Sequence, residues 1–248
     1  NAGRNALKMA EVSKISGENI IVPTGIHLEI YYQHNHWRYS YSEDQLTDLF
    51  IADVEEGIDK FDYTGPFVER TSHKAGLIKI ATGDSAFTKH QEKLFRAVVN
   101  THKETGVPIL THTNFGNQAW EQAKMFEKLG ANLDHKVLSH VDRFKDLDYQ
   151  KKVLDMGVSV EYDSAFRWNA TDHNWTLEFL EKLLPLYPNQ ITLGMDMAKN
   201  AYWKSYGGKP GLTYLLDTIP SFLAAKGLEK YWQNLFFDTP KRIFAFSK

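Results

Sequence analysis

Five polar residues each lie at or near the end of a short apolar stretch, and their types are those that bind metal ions or move protons. They are Lys79, His112, His140, Asp163 and Asp196. Neutral imidazoles together with a carboxylate suit zinc or a similar divalent ion. An ammonium group would be repelled by that ion, so Lys79 can join the site only after losing its proton. The neutral amine can then add carbon dioxide and become a carbamate anion. Pairing of Lys79 with a buried acid is the alternative.

A repeated unit of helix and strand surrounds these residues. Residues 90–105 place apolar side chains on one helical face, and Gly106 supplies a C-terminal stop. The apolar stretch VPILTHT follows, and the same order of helix and strand then returns along the chain. Helices that alternate with fully apolar strands indicate βα units and a parallel sheet. The polar residues are about 30 residues apart, as in a (β/α) barrel, where the C-terminal ends of the strands converge on one active site.

The composition narrows the class of protein. The chain has 248 residues, of which 42% are hydrophobic and 24% charged, and its formal net charge is -2. These values are typical of a globular protein and favour neither a nucleic acid nor a membrane surface as partner. The absence of cysteine excludes disulfides and thiolate metal sites, and it weakly favours a cytoplasmic location. We expect residues 1–248 to form one domain that acts on a small molecule, with a homodimer as the working assembly.

Several segments resemble, in order and spacing, the phosphotriesterase family of the amidohydrolase superfamily. GLIKIATG is similar to the strand with the carbamylated lysine of that family, and TGVPILTHT and KVLSHVDR are similar to its two histidine strands. ITLGMDMA resembles the eighth strand, and NLFFDTPKRIF resembles the closing helix. The segment that ends in IIVPTGIH resembles the second helix and third strand. The resemblance implies an α/β fold, an amidohydrolase-type (β/α)8 TIM barrel that lacks its first two βα units in this chain.

The same resemblance implies a binuclear metal site. The expected cofactors are two divalent ions, with zinc as the expected metal, bridged by a carbamate on Lys79. His112 and His140 would bind one ion, while Asp196 would bind the other and act as the catalytic base. A cap for the segment after the eighth strand is the alternative role of Asp196.

The family takes two further ligands from an H-x-H motif at the end of its first strand, and that strand is not in this chain. His34 and His36 form another H-x-H, within YYQHNHWRY. They follow the third strand in a polar, aromatic segment, so we interpret the segment as a surface or lid loop. We expect a longer native chain to supply the first strand.

Three residues after the last two strands suit a substrate phosphate. DSAFRWN contains Arg167, and GMDMAKNAYWKSYGGKPG contains Lys199 and Tyr202. On a helical turn, Lys199 and Tyr202 would share a face with Asp196. Two cations and a phenol hydroxyl suit a phosphate monoester. These stretches also resemble the branch of the family that hydrolyses phosphorylated sugar lactones, which often has arginine at the position of Lys199. The alternative roles are a solvated side chain for Lys199, a surface ion pair for Arg167 and simple packing for Tyr202.

The resemblance therefore implies a hydrolase that opens a phosphorylated sugar lactone by attack of a metal-bridging hydroxide, with Asp196 moving the proton. An organophosphate or amide hydrolase with the same site is the first alternative. A non-catalytic pseudoenzyme or binding protein is the second, because this chain lacks the H-x-H strand. A metal-free barrel enzyme with Lys79 as a Schiff-base nucleophile is the third.

Overall fold

Strands and helices alternate along the computed structural model, which describes residues 4–65 and 67–247, without the side chains of residues 169 and 170. The strands of this described part are β1 Pro23–Gly25, β2 Leu77–Thr82, β3 Ile109–Thr113, β4 Lys136–Ser139, β5 Ser159–Tyr162 and β6 Ile191–Leu193. Its α-helices are α1 Ala6–Ser16, α2 Glu43–Glu55, α3 Lys89–Thr105, α4 Ala119–Lys128, α5 Leu147–Leu154, α6 Trp175–Leu183, α7 Tyr214–Lys226 and α8 Thr239–Ile243. No helix in this part is long and apolar enough to cross a bilayer.

The six strands form one parallel sheet in chain order, from β1 to β6. The predicted alternation of helix and parallel strand is therefore confirmed. Because all strands run in the same direction, their C-terminal ends lie at one edge, where the predicted site residues gather. Within the described residues, β1 and β6 each pair with one neighbouring strand.

Local signals in the sequence fix the boundaries of the helices. α3 begins at a capping box in which Thr88 and Gln91 bind each other's backbone N–H groups. It ends at Gly106, which has a left-handed φ of 75°, as predicted. Ser42 and Gln45 form a second capping box at the start of α2. The helices cover the sheet with buried aliphatic and aromatic side chains.

Gly25 fixes the backbone beside Lys79. A Cβ atom at residue 25 would lie 2.0 Å from the carbonyl oxygen of Lys79, and φ at this glycine is 108°. The N–H group of Ile26 donates to the same carbonyl oxygen at 3.0 Å. Only glycine allows this approach of β1 to β2, because any side chain would push the strands apart.

A buried lysine lies at the opposite edge of the sheet. Lys136 begins β4, is fully buried, and places Nζ 2.9 Å from Nε2 of His102. Nδ1 of His102 lies 2.8 Å from the carbonyl oxygen of Val107. Burial lowers the pKa of Lys136 to about 7, against a smaller opposing effect of Asp134. Burial and the nearby Lys136 lower the pKa of His102 to about 4. This pair therefore favours the neutral form of both groups.

Replacing Lys136 should remove a pH-dependent part of the stability. The pKa of Lys136 is about 7 in the fold against 10.5 for an ordinary lysine, so folding releases a proton between these values. Wild-type stability should therefore rise with pH across this window and be lowest below pH 7. Between pH 7 and pH 9.5, the free energy of unfolding of the wild type should rise by on the order of 2 kcal/mol relative to that of Lys136→Met. Urea denaturation at both pH values measures this. If the two proteins differed in free energy of unfolding by the same amount at both pH values, the expectation would be contradicted. Lys128→Met is the matched control, because Lys128 is exposed.

Candidate functional site

A cavity of about 450 Å³ lies at the C-terminal edge of the sheet. All of the polar residues that the sequence indicated line it, namely Lys79, His112, His140, Asp163 and Asp196. Its wall also contains groups that the sequence alone did not indicate, namely His27, Ser139, Arg143 and Glu161. The predicted convergence of the strand ends is thus present, within a larger set of ionisable and polar groups.

Lys79 lies in the middle of β2, and its amine is held by neighbouring strands. Nζ donates to the carbonyl oxygen of Thr111 at 3.0 Å and to Oγ of Ser139 at 3.3 Å. The hydroxyl of Ser139 donates in turn to Oε2 of Glu161 at 2.6 Å. Burial lowers the pKa of Lys79, although the carboxylates of the cavity partly oppose this. The site therefore offers the desolvation that a carbamate requires, and Glu161 is the nearby acid of the alternative interpretation.

Glu161 occupies space that Gly194, the residue directly after β6, leaves open. A Cβ atom at residue 194 would lie 2.2 Å from Oε1 of Glu161, so Gly194 makes room for this carboxylate. Burial raises the pKa of Glu161, and the negative charge of Asp163 raises it further. The alternation of β5 could have indicated this residue, because Glu161 and Asp163 are two positions apart and share one face.

The three histidine rings of the cavity lie in a row. The ring centroids of His112 and His140 are 4.6 Å apart, and those of His27 and His112 are 4.9 Å apart. Burial is the main cause that lowers the pKa of His112 to about 2 and that of His27 to about 4. Among the described residues, Nε2 of His112 is buried without a hydrogen-bond partner. Asp163 binds Nδ1 of His140 through a short contact, which leaves Nε2 of that ring for a ligand.

Asp196 lies between two arginines. Its Oδ2 accepts from Nη2 of Arg143 at 2.8 Å and from Nη2 of Arg167 at 3.0 Å. Arg143 also donates to Oδ1 of Asp163 at 3.0 Å. Both Asp196 and His140 have left-handed backbones, with φ of 40° and 68°. Strained conformations of this kind are typical of functional sites, where surrounding contacts must hold them.

The donors of the cavity fit a divalent cation. Candidate ligand atoms of His140, Asp163 and Asp196 all lie within 4.8 Å of one another. Nitrogen from histidine and oxygen from carboxylates are the ligands that zinc and similar ions accept. Asp163 is therefore a further candidate ligand, beyond those that the resemblance implied.

The three predicted phosphate-binding residues lie in the segments after β5 and β6. Nη1 of Arg167 donates to the carbonyl oxygen of Asp163 at 2.8 Å, and Nη2 donates to that of Asp196 at 2.8 Å. The guanidinium also lies 5.3 Å from the ring centroid of Tyr202. Arg167 is thus an ion-pair partner of the site carboxylate, in contact with Tyr202. Lys199 is exposed and follows Ala198, a residue of the cavity wall.

The predicted helical turn from Asp196 to Tyr202 is wrong. Asp196 adopts the left-handed conformation, and its carbonyl oxygen accepts from the N–H group of Ala198 at 2.7 Å. Lys199 is extended, with φ of -128°, and a short 3-10 turn begins only at Asn200. The shared face predicted for Asp196, Lys199 and Tyr202 is therefore absent, because a tight turn replaces the helix.

His34 and His36 lie in the loop after β1 and do not line the cavity. His34 is exposed, and Nδ1 of His36 accepts from the backbone N–H of Arg38 at 3.3 Å. The ring of His36 lies 4.9 Å from the rings of both Tyr32 and Trp37. This placement agrees with the interpretation of the segment as a surface or lid loop.

The close contact of Gly194 with Glu161 generates a prediction for stability. Gly194→Ala should lower the free energy of unfolding by about 1 to 3 kcal/mol, because the new Cβ must displace a buried carboxylate. Urea denaturation measures this loss, and Gly83→Ala is the control because a Cβ at residue 83 would meet nothing within 4 Å. In a Glu161→Ala background the loss caused by Gly194→Ala should be much smaller. An equal loss in both backgrounds would exclude this explanation.

Comparison with known proteins agrees with this geometry. The model of the phosphotriesterase family matches residues 1–244. The phospho-furanose lactonase of Mycoplasmopsis synoviae is 33% identical over 260 residues, which cover 100% of this chain and 74% of that protein. The crystal structure of an amidohydrolase from Mycoplasma synoviae has a TM-score of 0.92 at 31% identity, over 99% of this chain and 73% of that one. A lactonase from Listeria monocytogenes has a TM-score of 0.86 at 28% identity, over 99% of this chain and 79% of that one.

These structural neighbours are TIM barrels, and the matches cover 73% and 79% of their own chains. The predicted barrel fold is therefore confirmed, with six of its parallel strands in the described residues. The extent of the matches, together with the cavity at the strand ends, shows that the chain belongs to the phosphotriesterase family.

Proposed function

We propose that the chain is a metal-dependent hydrolase that opens a phosphorylated sugar lactone, a small-molecule substrate. The observation that carries this proposal is the meeting of His112, His140 and Asp196 around Lys79 in one cavity. The unpartnered Nε2 of His112 and the close spacing of the three histidine rings favour a metal ion over a purely structural role for these histidines. The name of the lactonase relative from Mycoplasmopsis synoviae supports the class of substrate.

The proposed ligands follow from the family pattern and the donors of the cavity. Lys79, as a carbamate, would bridge two divalent ions, with zinc as the proposed metal. His112 and His140 would bind one ion, and Asp196 would bind the other. Asp163 holds His140 in position through Nδ1. Divalent ions at this site would polarise the lactone carbonyl and lower the pKa of a water molecule.

Asp196 is the proposed base. About a third of its side chain is exposed toward the cavity, with a side-chain accessibility of 32%. The carboxylate can accept the proton of the attacking water and deliver it to the ring oxygen that leaves. Arg143 and Arg167 orient this carboxylate by binding Oδ2.

Arg167, Lys199 and Tyr202 are the proposed phosphate-binding residues. Arg167 and Tyr202 lie in contact. Lys199 comes directly after Ala198, a residue of the cavity wall, in the same segment as Tyr202. A guanidinium, an ammonium and a phenol hydroxyl supply donors that match the oxygens of a phosphate monoester. An organophosphate hydrolase with the same site is the second candidate, favoured by the family itself, and a panel of lactones and triesters would separate the two.

Removal of the Lys79 amine tests the proposed bridge. In the full-length protein, Lys79→Ala should lower metal affinity by at least about tenfold and abolish most lactone hydrolysis. Acetate or propionate should partly restore both, because a short carboxylate can take the place of the carbamate. Metal content by elemental analysis is the primary measurement, with exposed Lys128→Ala as the control. Full metal occupancy in Lys79→Ala would rule out the bridging role, and wild-type protein without metal would favour the pseudoenzyme or Schiff-base alternatives.

The phosphate pocket is tested by comparing a phosphorylated lactone with the same lactone lacking its phosphate. Lys199→Ala should lower kcat/KM for the phosphorylated lactone by roughly 10- to 150-fold, as expected for a charge-assisted contact, and leave the other substrate unchanged. Arg167→Ala should lower both, because Arg167 also binds Asp196, but the phosphorylated lactone should lose more. Asp196→Asn should abolish both activities. Equal losses on the two substrates for Lys199→Ala would place the phosphate elsewhere.

A further inference from the structure

Glu161 is a carboxylate of the cavity wall to which neither the proposed ligand set nor the proposed base gives a role. Its Oε2 accepts from the hydroxyl of Ser139 on β4 at 2.6 Å, and its Oε1 faces the space where Gly194 lacks a side chain. Among the described residues, the donor atoms that converge as a candidate cation site belong to other side chains. The contact with Ser139 is therefore the feature from which a role for Glu161 can be argued.

The hydroxyl of Ser139 links this carboxylate to the amine of Lys79. Ser139 is fully buried, and a hydroxyl group has one proton to donate and lone pairs that accept. Its proton goes to Glu161, so its oxygen presents lone pairs to Nζ of Lys79 at 3.3 Å. The other acceptor for this Nζ among the described residues is the backbone carbonyl oxygen of Thr111 at 3.0 Å. Glu161 thus determines that Ser139 faces the amine as an acceptor. Without this carboxylate, the hydroxyl could turn its proton toward the amine and face it as a second donor.

We propose that Glu161, acting through Ser139, is a positioning residue for the carbamate on Lys79; this inference rests on the proposed function. Addition of carbon dioxide to the neutral amine forms one N–C bond and releases one proton to solvent, so the nitrogen keeps one N–H group. That buried N–H needs an acceptor, and the hydroxyl oxygen of Ser139 supplies it. A carbamate is planar for the same reason as a peptide group, so the direction of its N–H fixes the plane of its two oxygens. The acceptor on β4 therefore orients the group that would bridge the metal ions.

The test measures how much bicarbonate, the source of carbon dioxide, the full-length protein needs in order to bind zinc after its metal has been removed with a chelator. Glu161→Met keeps the length of the side chain without its acceptor, and Ser139→Ala removes the hydroxyl. Each substitution should raise the bicarbonate concentration for half-maximal zinc binding by roughly 3- to 10-fold, as expected for the loss of one hydrogen bond. The double variant should show no larger shift than Ser139→Ala, because Glu161 acts through that hydroxyl. Glu161→Gln, which can still accept from Ser139, should need less bicarbonate than Glu161→Met.

Two controls separate this role from general damage to the site. Glu127→Met replaces an exposed glutamate and should leave the bicarbonate requirement unchanged. In Lys79→Ala with acetate in place of the carbamate, Glu161→Met should cause no further loss of zinc binding, because the amine that it positions is absent.

The outcomes distinguish this role from the proposed function. A loss of zinc binding in Glu161→Met that bicarbonate does not restore would overturn the role, since the residue would then act as a ligand or support the fold. Dependence on bicarbonate in wild type with the same requirement in Glu161→Met and Ser139→Ala would overturn the role of Glu161 alone. Zinc binding by wild type that is independent of bicarbonate would overturn the carbamate of the proposed function together with this role.

Discussion

The hydrogen bonds from Lys79 through Ser139 to Glu161 join β2, β4 and β5 across the interior of the sheet. The rest of the site depends on this link, because it brings an amine and a carboxylate together where water is scarce. A buried charge without compensation is strongly destabilising, so each polar group here needs a partner from another strand. The parallel order of the strands supplies those partners, since it brings all the C-terminal ends to one edge. The fold and the chemistry of the cavity are therefore consequences of the same arrangement.

Arginine and the proposed metal ion would be alternative partners for the same carboxylates. In this structure Arg143 bridges Asp163 and Asp196, and Arg167 adds a second positive charge to Asp196. A divalent ion carries the same sign of charge and accepts the same oxygen atoms. Either kind of partner can therefore satisfy these carboxylates, and the left-handed turns at His140 and Asp196 help to hold the geometry of the site.

The sequence could predict the alternation of elements and the convergence of Lys79, His112, His140 and Asp196, because periodicity and strand direction are local properties. It could not predict the course of residues 196 to 202, since one left-handed aspartate converts an apparent helical turn into a tight turn without any glycine or proline to mark it. The period-two alternation of β5 could have identified Glu161 as a residue of the site, because it shares a face with Asp163. The contacts of Arg143 and His27 depend on loops whose paths are set by tertiary packing, and no local signal in the sequence encodes them.

The contact between Gly194 and Glu161 also constrains the order in which this cavity can change during evolution. A larger residue at 194 fits only after the side chain at 161 has become shorter, because the Cβ would otherwise meet the carboxylate. A shorter side chain at 161, in turn, leaves the hydroxyl of Ser139 without its acceptor. Residues 139, 161 and 194 are therefore expected to change together during evolution, with the first substitution at residue 161. Related chains that carry a bulky residue at the position of Gly194 are expected to carry a small one opposite it.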